Sequence, residues 1–268
     1  MKAAEVQPGS RWAEETYEAI APLYDDFTAG HDYELWLGNL LPELHRHGLS
    51  GRHLLDVGCG TGKSFLPMIE RGWEVTACDI SPSMLALAGA KAGDAARLSV
   101  ADMRELPAFG EFDLVWALDD AVNYLLSGEE LVQALSGMRA NLAPDGLLTF
   151  DANCLQVYRT FFAEEQRVER GGRTLVWRGQ EHGDAEPSAI SEARFEVEAG
   201  EDAAQFETHV HRQRHFSEVE VLEALTAAGL ECLEVYGQGF DAVPKRPVEE
   251  LAHSKAMYIA RRAEQGDR

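Results

Sequence analysis

The residues best equipped for chemistry are concentrated in one decapeptide, HLLDVGCGTG, at 53–62. Leu54, Leu55 and Val57 form an apolar run that reads as a central strand and carries Asp56 near its end. Glycines then follow at alternate positions, Gly58, Gly60 and Gly62. Without a Cβ, such a loop can turn sharply and bring its backbone against a ligand. The loop leads into a helix N-terminus, whose free N–H groups face the crevice beyond the strand ends. A phosphate-gripping loop would require glycine at Val57, and a dinucleotide loop would require its third glycine at Lys63. Both patterns fail by one residue. A carboxylate fixed beneath the loop suits a ligand with an ammonium group better than a pyrophosphate, and S-adenosylmethionine is such a ligand.

The run LLDVGCGTG resembles the glycine-rich first motif of the class I S-adenosylmethionine-dependent methyltransferases. Ile80-Ser-Pro-Ser-Met84-Leu resembles the second motif, and Leu142-Ala-Pro-Asp-Gly146 resembles the turn before the fifth strand. Tyr24-Asp-Asp-Phe27 is similar to an element of small-molecule members in which an N-terminal helix lies over the cofactor. The resemblance covers roughly 17–151 and the chain from Ser217 onward. It implies S-adenosylmethionine as cofactor, held by Asp56, Gly58, Cys59, Gly60 and Gly62, with Ile80 and Met84 from the second motif. It assigns Asp79 to the two ribose hydroxyls, Asp102 to the adenine amino group and Met103 to the adenine ring. Ala117 opens the segment that cups the sulfonium and faces the acceptor. There Asp119 and Asp120 would anchor an acceptor amine or take its proton, or would merely cap the following turn. The tetrad Asn-Pro-Pro-Tyr, used on amides and exocyclic amines of DNA or protein, is absent. The lid, the run Asp119-Asp120-x-x-Asn123-Tyr124-Leu125 and a β-rich insert together look most like the sugar N-methyltransferases. The implied reaction is methylation of a nitrogen on a small molecule, an amino sugar or another secondary metabolite. Methylation of a phenol or hydroxyl oxygen, or cofactor binding without turnover, are the alternatives.

The elements that must position these residues follow from periodicity. Apolar residues at helical spacing predict helices over 12–27, kinked or divided at Pro22, and over 33–44. Strands are predicted at 53–57, 73–78, 98–100, 112–116 and 147–150, alternating with helices, the pattern of a parallel sheet. Past Asn153 the pattern changes, and 174–177, 193–199 and 206–212 read as three antiparallel strands. Ser127-x-x-Glu130 and Ser217-x-x-Glu220 are capping boxes. Strands at 230–235 and 256–260 close the chain. The expected fold is α/β: a Rossmann-like, mostly parallel seven-stranded sheet with a reversed edge hairpin. It divides into an N-terminal helical lid (1–48), a cofactor-binding core (49–153), an antiparallel substrate-side insert (154–216) and the C-terminal part of the core (217–268).

In the insert, Phe206, Thr208 and Val210 share one strand face, and Glu207, His209 and His211 share the other. His209 and His211 are therefore candidate bases for a hydroxyl acceptor, with Tyr24 a further candidate from the lid. His209-x-His211 has no third ligand of comparable standing, so no metal is expected. Cys59, Cys78, Cys154 and Cys232 are too widely spaced for a zinc site or disulfide framework. The net charge of −22 over 268 residues argues against nucleic acid or an anionic membrane as partner. With no apolar run near 18 residues and no signal-peptide profile, a cytoplasmic protein is expected. Its partner is a small-molecule acceptor, and the insert could also serve as a homodimer surface.

Overall fold

The computed structural model describes residues 12–170, 173–180, 183–199 and 207–264. Helices α1 (Trp12–Phe27) and α2 (Tyr33–Arg46) precede strand β1 (His53–Val57). There follow α3 (Leu66–Glu70), β2 (Glu74–Asp79), α4 (Pro82–Ala92), β3 (Ala96–Val100), β4 (Phe112–Ala117), α5 (Gly128–Ala140) and β5 (Leu142–Asn153). The insert comprises α6 (Leu155–Arg159), β6 (Glu165–Arg170), β7 (Arg173–Gly179), β8 (Ile190–Ala199) and β9 (Glu207–Arg214). Helix α7 (Glu218–Ala227) and strands β10 (Leu230–Gln238) and β11 (Lys255–Arg262) complete the chain.

Seven strands form one sheet in the order β10-β11-β5-β4-β1-β2-β3. The four pairings that join β3, β2, β1, β4 and β5 are parallel, while β11 runs antiparallel to both β5 and β10. This is the predicted architecture with its reversed hairpin. Alternate residues of each strand go to opposite faces, and both faces are covered. Leu55, Val57, Val115, Ala117 and Phe150 pack under α5 and α7, whose Leu135, Met138 and Leu225 are almost fully buried. Leu54, Leu114, Trp116 and Ile259 face α2, α3 and α4 through Leu37, Leu40, Met68 and Ala88. Burial on both faces explains why these strands are nearly continuous apolar runs. A third core lies between α1 and the insert and includes Ile20, Met84, Phe162, Trp177 and Phe195.

Three local readings need correction. Helix α1 is not divided at Pro22 but runs unbroken from Trp12 to Phe27. The ring forfeits one backbone bond, and the flanking Ile20, Ala21 and Leu23 offset the loss by burial against the third core. The insert is a four-stranded sheet in the order β6-β7-β8-β9, not three strands. Its missed edge strand, Glu-Gln-Arg-Val-Glu-Arg, has only one apolar residue and therefore no alternation to read. At α5, Ser127 Oγ accepts from Glu130 N as expected, but the Glu130 carboxylate turns to Leu126 N (2.7 Å) and Arg104. At α7 the reciprocal box is complete. Glu220→Ala should therefore cost about 1 kcal/mol of unfolding free energy, read from the denaturant midpoint; an unchanged midpoint would count against a stabilising box.

Candidate active site

The glycine loop is bound to the end of the neighbouring strand. Gly58 N and Cys59 N donate to Cys78 O at 2.8 and 3.0 Å, and Gly60 N donates to Asp79 Oδ2 at 2.8 Å. Ser81 N donates to Asp79 Oδ1 at 2.9 Å, and Ser81 caps α4. Gly58 has φ +74°, and a Cβ there would lie 3.1 Å from that of Ala121. At Gly62, with φ +89°, a Cβ would press on the Phe65 ring at 2.8 Å. Close packing and a left-handed backbone both require glycine at these two turns.

A cavity of about 100 Å³ opens above this loop. Of the predicted cofactor residues, Gly58, Cys59, Gly60, Asp79, Ile80, Asp102 and Met103 line it. Burial raises the Asp79 pKa above the usual carboxylate range, opposed by its backbone donors. Asp102 accepts from the Arg104 side chain, which also donates to Glu130 at 3.0 Å. Gly62, Met84 and Ala117 do not line the cavity; Met84 and Ala117 are fully buried in the core. Asp56 also lies outside the lining, 1% exposed beneath the loop, where Ser64 Oγ donates to it at 2.5 Å. Burial pushes its pKa up to about 7. The carboxylate underlies the loop as expected, but it is turned toward Ser64 rather than the cavity.

Helix α1 roofs the cavity with Trp12, Tyr17 and Tyr24 and is latched at two points. Glu18 accepts from Ser81 Oγ, Ser83 N and Ser83 Oγ at 2.6–2.8 Å, closing the N-terminus of α4. Asp25 accepts from Thr61 Oγ1 at 2.6 Å and pairs with Lys91 at 2.5 Å. Lys63 Nζ adds a bond to Thr28 Oγ1 at 2.7 Å.

A second cavity, of about 320 Å³, shares Tyr17, Tyr24, Tyr33, Asp119 and Tyr124 with the first. At their common wall the backbone is strained: Asp119 and Asp120 are both left-handed, at φ +63° and +57°. Their N–H groups converge on one carboxylate, Asp151, at 2.7 and 2.8 Å. Lys255 Nζ bonds Asp151 Oδ2 at 2.7 Å and Asp119 Oδ1 at 3.0 Å, and lies 5.3 Å from the centre of the Trp36 ring. Asp119 Oδ2 also accepts from Tyr33 Oη and meets His31 Nδ1, both at 3.0 Å. Although desolvation opposes it, Lys255 and His31 hold Asp119 ionised well below its ordinary range. Asp120 differs. It accepts one bond from Asn153 Nδ2 at 2.9 Å, and burial with the repulsion of Asp119 and Asp151 raises its pKa to about 6. The two adjacent carboxyl groups are thus pushed in opposite directions, Asp119 toward the ionised and Asp120 toward the protonated form.

The two insert histidines lie in different environments. The face of β9 that carries them is the inner face: His211, Gln213 and His215 are almost fully buried, whereas Thr208 on the other face is exposed. Phe206 lies outside the described residues. A polar face can be buried here because it is packed and bonded: His211 Nδ1 meets Tyr124 Oη at 3.1 Å, and the ring lies 5.3 Å from that of Trp177. Desolvation, then the neighbouring His209, lowers the His211 pKa to about 3. The ring is a neutral hydrogen-bonding wall of the second cavity and a weak base. His209 lines neither cavity. Tyr24 is at the junction of the two, its phenol kept protonated by burial. Sequence reasoning missed Asp151 and Lys255. A carboxylate at the carboxyl end of an apolar strand was the readable signal for Asp151; Lys255 gave none.

A methyltransferase-domain model matches residues 54–146. A putative methyltransferase of Geobacillus is 30% identical over 244 residues, covering 88% of this chain and 97% of the relative. The dTDP-3-amino-3,6-dideoxy-α-D-glucopyranose N,N-dimethyltransferase of Streptomyces fradiae is 28% identical over 79% of this chain and 83% of its own. An S-adenosylmethionine-bound amino pentose methyltransferase from Micromonospora echinaspora superposes with a TM-score of 0.67 at 25% identity, covering 90% and 97% of the two chains. The tight glycine loop bonded to Asp79, the reversed hairpin and this full-length similarity have one source: the chain belongs to the class I S-adenosylmethionine-dependent methyltransferases.

Proposed function

We propose that the protein methylates a nitrogen of a small molecule, with the acceptor in the second cavity and Asp120 taking the proton that the nitrogen loses. The observation that carries this reading is the pair of acids at the second cavity, Asp119 on the wall it shares with the first and Asp120 beside it, with the Asp120 pKa raised and Asp119 held ionised. When bound, S-adenosylmethionine supplies a methyl group activated by positive sulfur. The rest is alignment and proton management by this chain. Asp79, Asp102 and the backbone of the loop are the residues that would hold the cofactor, with Met103 against its adenine. Asp119 attracts the acceptor as an ammonium, and Asp120 accepts the proton that frees the lone pair for attack. Tyr17, Tyr24 and Tyr124 fill the shared wall and restrict water. The S. fradiae relative, named as an N,N-dimethyltransferase of an amino sugar, supports a nitrogen acceptor. The charge of −22 favours a small molecule over nucleic acid.

The direct test is a transfer assay with labelled S-adenosylmethionine against paired amines, amino sugars and phenols, read by mass. Methylation confined to the phenols would overturn the nitrogen assignment. For the cofactor side, Asp79→Ala should weaken S-adenosylhomocysteine binding by about 10- to 100-fold, the loss of a bidentate acceptor, with folding retained. Calorimetry returning wild-type affinity would remove Asp79 from the cofactor site.

A further inference from the structure

The walls of the acceptor cavity are rings. Phe27 stacks on Trp177 with centroids 6.1 Å apart and meets Phe195 edge-on at 5.1 Å, while Phe161 lies 4.7 Å from Trp177. At the rim Phe240 is 98% exposed and Leu35 45% exposed. Both border this one cavity, so they enlarge a single apolar surface rather than being scattered singly.

Its charges are already engaged. Among the described residues that line it, the basic side chains are His31 and Lys255, with His211 neutral. His31 is bonded to Asp119, and Lys255 lies between Asp119 and Asp151. No arginine is among them. The basic residues of the neighbouring cofactor cavity, Lys63 and Arg104, are held by Thr28 and by Asp102 with Glu130. Backbone donors at the rim are also closed by acids: Asp32 caps α2, and Glu250 accepts from Leu155 N. A diphosphate is ordinarily gripped by a free guanidinium, a free ammonium or an open run of N–H groups, and here it would meet Asp32, Asp119 and Asp120 instead.

We propose that the acceptor is an amine on an apolar, ring-bearing body, taken without a phosphate group, and not a nucleotide-activated sugar. This rests on the nitrogen-acceptor reading above and narrows it. The ammonium would meet Asp119 and Asp120, and the body would lie along Trp177 and Phe195 under Phe240. In this it departs from the S. fradiae relative, which is named for a dTDP-linked sugar.

The test is calorimetric titration of the full chain, loaded with S-adenosylhomocysteine, with three probes: tryptamine, tryptophol (the same ring system with a hydroxyl in place of the amine) and thymidine 5′-diphosphate. Tryptamine should bind saturably and at least about tenfold more tightly than either of the others. Phe240→Ala, at a position too exposed to support the fold, should weaken tryptamine about fivefold and leave S-adenosylhomocysteine affinity unchanged. Thymidine diphosphate binding as tightly as tryptamine, or no binding of tryptamine, would overturn the apolar, phosphate-free acceptor. Tryptophol binding as tightly as tryptamine, with the diphosphate still silent, would instead overturn the nitrogen reading on which the proposal rests.

Discussion

Asp120→Asn should lower kcat for an amine acceptor by about 10²- to 10⁴-fold, the usual contribution of a positioned acid–base group, while cofactor affinity stays near wild type. The amide is nearly isosteric and can keep a bond with Asn153, so the change removes proton acceptance more than shape. The pH profile gives the sharper reading. Asp120 must be ionised to take a proton, and its pKa is raised to about 6. Wild-type kcat should therefore rise as pH increases through about 6 and then level, until the acceptor's own ionisation intervenes. In Asp120→Asn that acid limb should vanish. His211 cannot supply the limb, because burial lowers its pKa to about 3. An acid limb that persists unaltered in Asp120→Asn would assign the proton to another group.

Lys255→Met should destabilise the protein by about 3–5 kcal/mol, the cost of breaking a buried ion pair from one side. The side chain is 16% exposed, and its two partners, Asp119 and Asp151, are 14% and 0% exposed. Without the ammonium, Asp151 would be left as a buried anion whose remaining donors are the two strained amides of Asp119 and Asp120. Adding Asp151→Asn to Lys255→Met should recover part of the loss, because the unpaired charge is then gone. Equilibrium denaturation of the single and double variants measures this coupling. Strictly additive losses would mean that Lys255 stabilises through its packing on Trp36 rather than through charge. Lys255 also holds the Asp120 pKa down, so any active Lys255→Met protein should carry its acid limb at higher pH.

Much of this architecture is written in local patterns. The apolar runs of β1 and β4 are continuous because both faces of the sheet are covered, and this distinguishes them from the alternating β8. The loop at Gly58–Gly60–Gly62 is legible because left-handed backbone and close packing leave few alternatives to glycine. Asp79 is legible because it ends a strand at the point where open α/β sheets bind ligands. Edge strand β6 was not legible, since a solvent-facing strand has no second apolar layer to satisfy. The burial of the polar face of β9 was not legible either: His211, Gln213 and His215 are buried among rings and hydrogen-bond partners that come from distant parts of the chain.

The amino-acid pattern therefore determined the fold class and the cofactor, because both depend on backbone geometry confined to a few consecutive positions. The difference in surroundings between Asp119 and Asp120 was decided only in three dimensions. As consecutive aspartates they are indistinguishable. Lys255 is 136 positions from Asp119 in the chain, and strand pairing brings it to that carboxylate and Asp151, while Asp120 is left with a single amide donor. Electrostatics at a buried site depends on distance and solvent exclusion rather than chain order, and that is why the charge environment of this wall was decided by the tertiary structure.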